Sequence, residues 1–334
     1  MSPLVLRSAL FRLGVFLFVA ASLRLPAQEL TLLGGLIPAS DSERSTPTWQ
    51  VDYRQNFHPN FAASIAYINE GHLRAHHRDG TAAQAWARLP LFQDRISFSL
   101  GAGAYYYFDT QPRPGGDTAN VHGTAPIYSL SATGYLSNRW FYRAMVNRIA
   151  PGGEINVTTA TLGAGFWFGR AQKPTPGKLG DAPEQYAYVT PSELTFFGGQ
   201  SVVNTFLSEK ALAYAAEYRR GLLPHLDATA SLIYEGDPAI IRRSGLAVQL
   251  WAVNTFFAER VSVGAGLGPY VFLDHKNPPA GGLRNPASVA PVASLTFSVR
   301  LSESWIMRLV FDRVVSTYNR DSDIFLAGLG YRWR

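Results

Sequence analysis

Hydrophobic and polar residues alternate along most of this chain, most cleanly from Ile96 to Asp109. One parity there holds Ile96, Phe98, Leu100, Ala102, Ala104, Tyr106 and Phe108, and the other Ser97, Ser99, Gly101, Gly103, Tyr105, Tyr107 and Asp109. A period of two is that of a strand with unlike faces. The segment also exceeds the roughly 9 to 11 residues that a tilted strand needs to cross a bilayer. The same parity separates Trp140, Tyr142, Ala144 and Val146 from Arg143 and Asn147, and Trp305, Met307, Leu309 and Phe311 from Arg308 and Asp312. It predicts eight strands near residues 30–37, 49–57, 61–71, 81–90, 96–109, 124–136, 140–150 and 158–169, with the apolar set facing lipid and the polar set facing inward.

The expected connections alternate in length. Short ones run through His58, Pro59 and Asn60 and through Ser137, Asn138 and Arg139; the segments 38–48, 72–80, 110–123 and 151–157 are longer and rich in Pro, Gly, Asp and Asn. Transmembrane β-barrels place short turns in the periplasm and long loops outside.

From Trp49 to Phe168 the chain matches Tyr214 to Trp333 at a constant offset of 165 residues. Tyr53 and Arg54 return as Tyr218 and Arg219, Glu70 and Gly71 as Glu235 and Gly236, Arg78 as Arg243, and Gln84 and Trp86 as Gln249 and Trp251. Gly101, Gly103, Tyr105 and Asp109 return as Gly266, Gly268, Tyr270 and Asp274, and Leu136, Trp140, Arg143 and Arg148 as Leu301, Trp305, Arg308 and Arg313. A period this long exceeds that of solenoid repeats, so the pattern reads as a tandem duplication of a whole unit. The expected organisation is a signal peptide over 1–27, a first barrel unit over 28–169, a periplasmic linker over 170–193 and a second barrel unit over 194–334. The linker carries Lys173, Pro174, Pro176, Gly177, Lys178, Gly180, Asp181 and Pro183, too long and flexible for a hairpin turn. It favours two eight-stranded barrels over the alternative, one sixteen-stranded pore.

Composition narrows the partners. Arg7 and Arg12 flank the apolar run from Leu13 to Leu23, and a small-residue site follows at Leu25, Pro26 and Ala27, the form of a cleaved secretory signal. Loss of Arg7, Arg12 and Arg24 lowers the formal charge from +6 to +3, too weak to argue for nucleic acid. Zero cysteines exclude disulfides, thiol chemistry and Cys-ligated metals, and no cofactor is expected. With 13% aromatic residues and 30 glycines, the chain has the make-up of an exported barrel, whose hydrophobicity lies in every second residue.

Both copies end in a glycine followed by spaced aromatics, Gly163 with Phe166 and Phe168, and Gly328 with Tyr331 and Trp333. Here each unit resembles the small eight-stranded outer-membrane barrels, whose last strand carries such a signal for the barrel-insertion machinery. The resemblance implies an all-β antiparallel fold and an outer-membrane address, and no activity. In size and strand number the units also resemble the outer-membrane lipid A deacylases. In that family a histidine and a serine two residues apart act with an acidic partner. No His-any-Ser triplet occurs in this chain; His122, Gly123 and Thr124 come nearest, and the second copy has Ala287, Ser288 and Val289 there. Without an identifiable nucleophile and base pair, that activity is not carried over to this chain.

Three groups of residues remain as candidate sites. His72, His76, His77 and Asp79, beside Glu70 and Arg78, are residue types that ligate zinc, but their spacing matches no ligand motif and the second copy has Asp237, Ile241 and Arg242 for the histidines, so a solvated loop is the plainer reading. Glu70, Gln84, Trp86, Tyr105, Asp109, Arg143 and Asn147, with Glu235, Gln249, Trp251, Tyr270, Asp274, Arg308 and Asp312, all have inward parity and read as a barrel-interior polar network, a structural plug. Arg148 and Arg313 have outward parity near the outer rim, where guanidinium groups suit lipopolysaccharide phosphates.

Overall fold

The structure is a computed structural model that describes residues 28–38, 45–73, 76–113, 118–136, 139–151, 156–168, 189–205, 208–238, 241–257, 259–276, 288–317 and 320–333. The expected signal peptide, 1–27, and residues 170–188 of the expected linker lie outside them. The described residues form two compact units. The first contains β1 (Gln28–Ile37), β2 (Thr46–His58), β3 (Phe61–Leu73), β4 (His76–Leu91), β5 (Ile96–Pro112), β6 (Thr118–Tyr135), β7 (Trp140–Ile149) and β8 (Val157–Phe168). The second contains β9 (Ser192–Val203), β10 (Lys210–Leu223), β11 (Leu226–Tyr234), β12 (Arg242–Phe256), β13 (Val261–Lys276), β14 (Val289–Arg300), β15 (Trp305–Val314) and β16 (Ser322–Trp333).

Each unit is a closed antiparallel barrel in which every strand pairs with its sequence neighbours. The first closes where β1 pairs with β8, Gln28 opposite Phe168, and the second where β16 pairs with β9, Trp333 opposite Ser192. Closure leaves no unpaired strand edge, the condition for a sheet in lipid. It also overturns the alternative of one sixteen-stranded barrel, because β8 and β9 each complete a separate ring. β9 starts at Ser192, two residues before the expected start of the second unit, so Glu193 belongs to the barrel wall and not to the linker.

Alternation sorts the side chains as the sequence pattern requires. In β7 the outward Trp140, Tyr142, Ala144, Val146 and Arg148 are exposed, whereas Phe141, Arg143, Met145, Asn147 and Ile149 are buried. Leu32, Leu100 and Leu162 are 64%, 66% and 65% exposed on the outside, and Leu212, Leu250 and Leu309 stand similarly in the second unit. In water such a belt would be unfavourable; against acyl chains it is matched. Aromatic pairs edge the belt at the short-turn end, Trp140 with Phe166 at 5.3 Å and Trp305 with Tyr331 at 5.5 Å between ring centroids.

The strands run farther than expected at the end opposite the chain termini. Residues 72–73 and 76–80, expected in a loop, belong to β3 and β4, which go on pairing with His72 opposite His77 and Leu73 opposite His76. Gly71 permits this, since it sits at φ +69° in a register shift between Asn69 and His72, and a Cβ there would collide with the carbonyl of Pro47. Residues 110–112 and 118–123 likewise belong to β5 and β6, which pair down to Pro112 and Thr118.

Candidate functional site: the filled lumens

The inward side chains of each barrel form three tiers. At the short-turn end of the first unit, Arg143 is fully buried and donates Nη1 to Asp52 Oδ2 at 2.9 Å and to Thr31 Oγ1 at 3.1 Å, Nε to Thr133 Oγ1 at 3.0 Å, and Nη2 to Glu29. Glu29 also accepts from Tyr135 Oη and Asn56 Nδ2, both at 2.7 Å. Arg54 lies beside Asp52 and stacks its guanidinium 3.7 Å from the ring centre of Trp86. Buried ions held by partners from five different strands fix the barrel's cross-section, because removing one leaves others uncompensated.

The middle tier is neutral in the first unit. Gln84 donates to Ser129 at 2.8 Å, Ser129 to Asn147 at 2.7 Å, and Asn147 to Gln50 at 2.9 Å and Thr159 at 3.0 Å, while Trp86 Nε1 reaches Ser64 at 2.8 Å. Trp86 lies flat over the adjoining strand because its cross-strand partner, residue 101, is glycine; a Cβ there would stand 2.7 Å from its ring, and Gly266 gives Trp251 the same space. At the long-loop end Glu70 takes two parallel hydrogen bonds from Arg78, at 2.9 and 2.7 Å, a geometry that guanidinium and carboxylate share. Asp109 lies beyond, with His76 Nδ1 at 2.6 Å and Gln111 Nε2 at 2.9 Å.

The second unit repeats the tiers at equivalent positions. Arg308 donates to Glu193, Gln249 to Ser294 at 2.7 Å, Ser294 to Asp312, Trp251 Nε1 to Thr229 at 2.8 Å, and Arg243 to Glu235 at 2.8 Å. Arg219 stands 4.3 Å over Trp251 as Arg54 does over Trp86. Tyr270 is fully buried, as is Tyr105; the side chain of Asp274 lies outside the description.

The inward residues read from the sequence are thus placed inside, but not as one group. Glu70 and Asp109 are at one end and Arg143 at the other; Glu70 pairs with Arg78, and Arg143 with Glu29 and Asp52. Glu29, Asp52, Arg54, Arg88, Tyr135 and Glu193 were missed. Glu29 and Glu193 sit in matching stretches, Glu-Leu-Thr-Leu-Leu-Gly-Gly and Glu-Leu-Thr-Phe-Phe-Gly-Gly, offset by 164 instead of 165, a one-residue slip that a gapless comparison hides.

The histidine-rich segment separates. His76 holds Asp109, Asp79 accepts from Tyr67 Oη, and the side chain of His72 is outside the description. Among the described residues no cluster of three or more His, Asp or Glu is placed for a metal ion. His122 is on the outer face with its ring edge-on to Phe108 at 5.3 Å. Arg148 is exposed and donates to Thr158 at 2.9 Å. Arg313 departs from the sequence expectation: it is buried against the outer face and holds both carboxylate oxygens of Asp323 at 2.8 Å, where the first unit has Thr158.

Two closed rings of eight strands, apolar outside and packed with ion pairs inside, decide the architecture. Each unit is a closed, eight-stranded antiparallel barrel. Comparison with solved structures finds the N-terminal β-barrel domain of Pseudomonas aeruginosa OprF, at 14% identity over 43% of this chain and 99% of that chain, with a TM-score of 0.36. Neisserial surface protein A matches at 9% identity over 42% and 96%, TM-score 0.35, and Ail, the attachment invasion locus protein of Yersinia pestis, at 13% over 43% and 99%, TM-score 0.34. No family model and no curated protein sequence matches the chain.

Proposed function

We propose that this chain is an exported, integral outer-membrane protein, the product of a tandem duplication, whose two plugged barrels act as anchors for what they present on the long-loop side. The role is structural or interactive, not transport or catalysis. One observation carries the reading: both lumens are crossed by interlocked side chains in three tiers, from Glu29, Arg143 and Asp52 to Glu70 and Arg78, and from Glu193 and Arg308 to Glu235 and Arg243. A water-filled conduit requires the opposite, an unbridged polar lumen. The short turns and the chain ends then face the periplasm, and the aromatic C-terminal strands engage the insertion machinery. Single-channel recording of the purified full chain in a planar bilayer tests this. Only small or no conductance is expected; a large, stable conductance would overturn the anchoring role.

A second reading rests on Arg148. Its guanidinium is outward and exposed near the long-loop rim, opposite the exposed Tyr128, a pairing suited to a lipopolysaccharide phosphate beside an acyl boundary. Arg148→Ala should weaken co-purification of lipopolysaccharide, whereas loss of Arg313, already held by Asp323, should not. Incubation with lipid A followed by mass spectrometry should show intact acyl chains; reproducible acyl loss would restore the deacylase alternative.

A further inference from the structure

The two units differ at their short-turn mouths. In the first, Tyr135, Phe141 and Trp167 pack together over the Arg143 tier, and Arg88 donates to Tyr135 Oη at 2.9 Å, so rings and a guanidinium close the opening. In the second, the matching positions hold Arg300, Ile306, Arg332 and Val253. The backbone of the neighbouring turn is the same in both: Arg95 N–H bonds Phe92 C=O and Tyr135 N–H bonds Arg95 C=O, and Arg260 N–H bonds Phe257 C=O and Arg300 N–H bonds Arg260 C=O. The exchanged side chains thus flank a turn with the same hydrogen bonds in both units, and in the second unit Thr190, ahead of β9, also lines the mouth, bonded to Gly221 and Asp227.

What they leave is a cavity of about 20 Å³ reached past Glu259, Arg260 and Arg300, with Glu193, Asp227, Arg308 and Arg332 on its walls. That volume takes about one water-sized group, so an anion seated there inserts a single oxygen and keeps the rest of the group at the rim. Four guanidinium groups meet three carboxylates there. Glu193 is engaged by Arg308 and Arg332, Asp227 by Arg219, and Glu259 by Arg300 at 3.1 Å. Of the other buried acids, Glu217 is held by Arg219 and Ser231 and Asp312 by Ser294 in the middle tier, and neither is on the cavity wall. Two donors are left over. Arg308, 3% exposed, has an Nε that meets no acceptor, and Arg260, exposed at the rim, makes no ion pair among the described residues.

We propose that this mouth is a binding site for a small oxyanion, a carboxylate or phosphate group, entered from the short-turn side and held between Arg260, Arg300 and Arg308. A planar, weakly hydrated guanidinium is the side chain best matched to such a group, and a buried N–H without an acceptor gains most from one. The first unit, closed by rings, provides the internal comparison.

The test uses the full chain in detergent micelles, so both mouths are accessible. Isothermal titration calorimetry is run with sodium acetate and, separately, inorganic phosphate, at an ionic strength held by sodium chloride. One saturable site in about the millimolar range is expected. Acetate alone would assign a carboxylate site and phosphate alone a phosphate site. Arg260→Gln and Arg300→Gln should each weaken binding about tenfold, while Arg95→Gln, at the matching turn of the first unit, should not. If Arg300→Gln does not fold, the double substitution Val253→Arg with Arg300→Tyr, which installs the first unit's residues, should fold and lose the site. No saturable heat with either ion, or unchanged binding in Arg260→Gln and the double variant, overturns the proposal.

Discussion

Truncation of Arg143 to Ala is the sharpest test of whether these lumens are solid. Arg143 answers two buried carboxylates, Glu29 and Asp52, and two hydroxyls, Thr31 and Thr133. Arg54 and Arg88 remain in the variant, but they meet the acids only at 3.8 and 4.0 Å. Removing one member of a buried pair costs about 3 to 5 kcal/mol. For a urea slope of about 2 kcal/mol/M, that lowers the midpoint by roughly 2 M. Heat-dependent gel mobility and tryptophan fluorescence of the refolded full chain would read it. Leu162→Ala, on the outer face of the same barrel, is the control; lipid refills the space, and the expected cost is roughly 1 kcal/mol or less. Adding Glu29→Gln to Arg143→Ala should recover part of the loss, because one stranded charge disappears. An Arg143→Ala midpoint within about 0.25 M of the parent, equivalent to about 0.5 kcal/mol and so in the range of ordinary surface changes, would refute the argument and imply a hydrated lumen.

Gly101→Ala should cost about 1 to 3 kcal/mol by pressing a methyl against the Trp86 ring, with Gly266→Ala equivalent at Trp251, both measured as urea midpoints. Trp86→Phe, which deletes the hydrogen bond to Ser64, should cost about 1 kcal/mol or slightly more. Arg78→Ala should loosen the long-loop end selectively: amide exchange should speed up in Glu70–Leu73 and His76–Asp79 while the Arg143 tier stays protected. Each unit should fold alone, so residues 28–168 and 189–334 expressed separately should each give β-type circular dichroism and a heat-dependent mobility shift; absence of both would mean that the units need one another.

How far the sequence could be read follows from the physics of a two-residue period. Parity is a local property, so the inward placement of Arg143, Asn147, Gln84 and Tyr105 and the outward placement of Leu309 needed no tertiary information. Strand ends were harder. Polar, glycine-bearing stretches such as Gly71–Gly80 resemble loops, but above a membrane two strands can keep pairing in water, and the Glu70 to Arg78 bridge holds them. Which inward residues meet across the lumen depends on strand tilt and register, which no single strand encodes. Hence position along the strands already sets Glu70 and Asp109 near the outer mouth and Arg143 near the other end, but the partners each meets, Arg78 for Glu70 and Glu29 and Asp52 for Arg143, could not be read. Arg313 was obscured for a different reason: its partner, Asp323, lies on the adjoining strand, where the first unit has a threonine.

The pairing of Gln28 with Phe168, and of Ser192 with Trp333, means that each ring starts and stops at one seam. A ring of this kind has no privileged beginning. Its ends could be spliced by a hairpin and new ends opened between two other strands, such as β5 and β6, without any strand changing partner. For the same reason each unit is complete in itself: neither borrows a strand from the other. The permuted chain, opened there and joined at the seam, should close the same ring, so that sequence order sets when each strand is made more than which strands it joins.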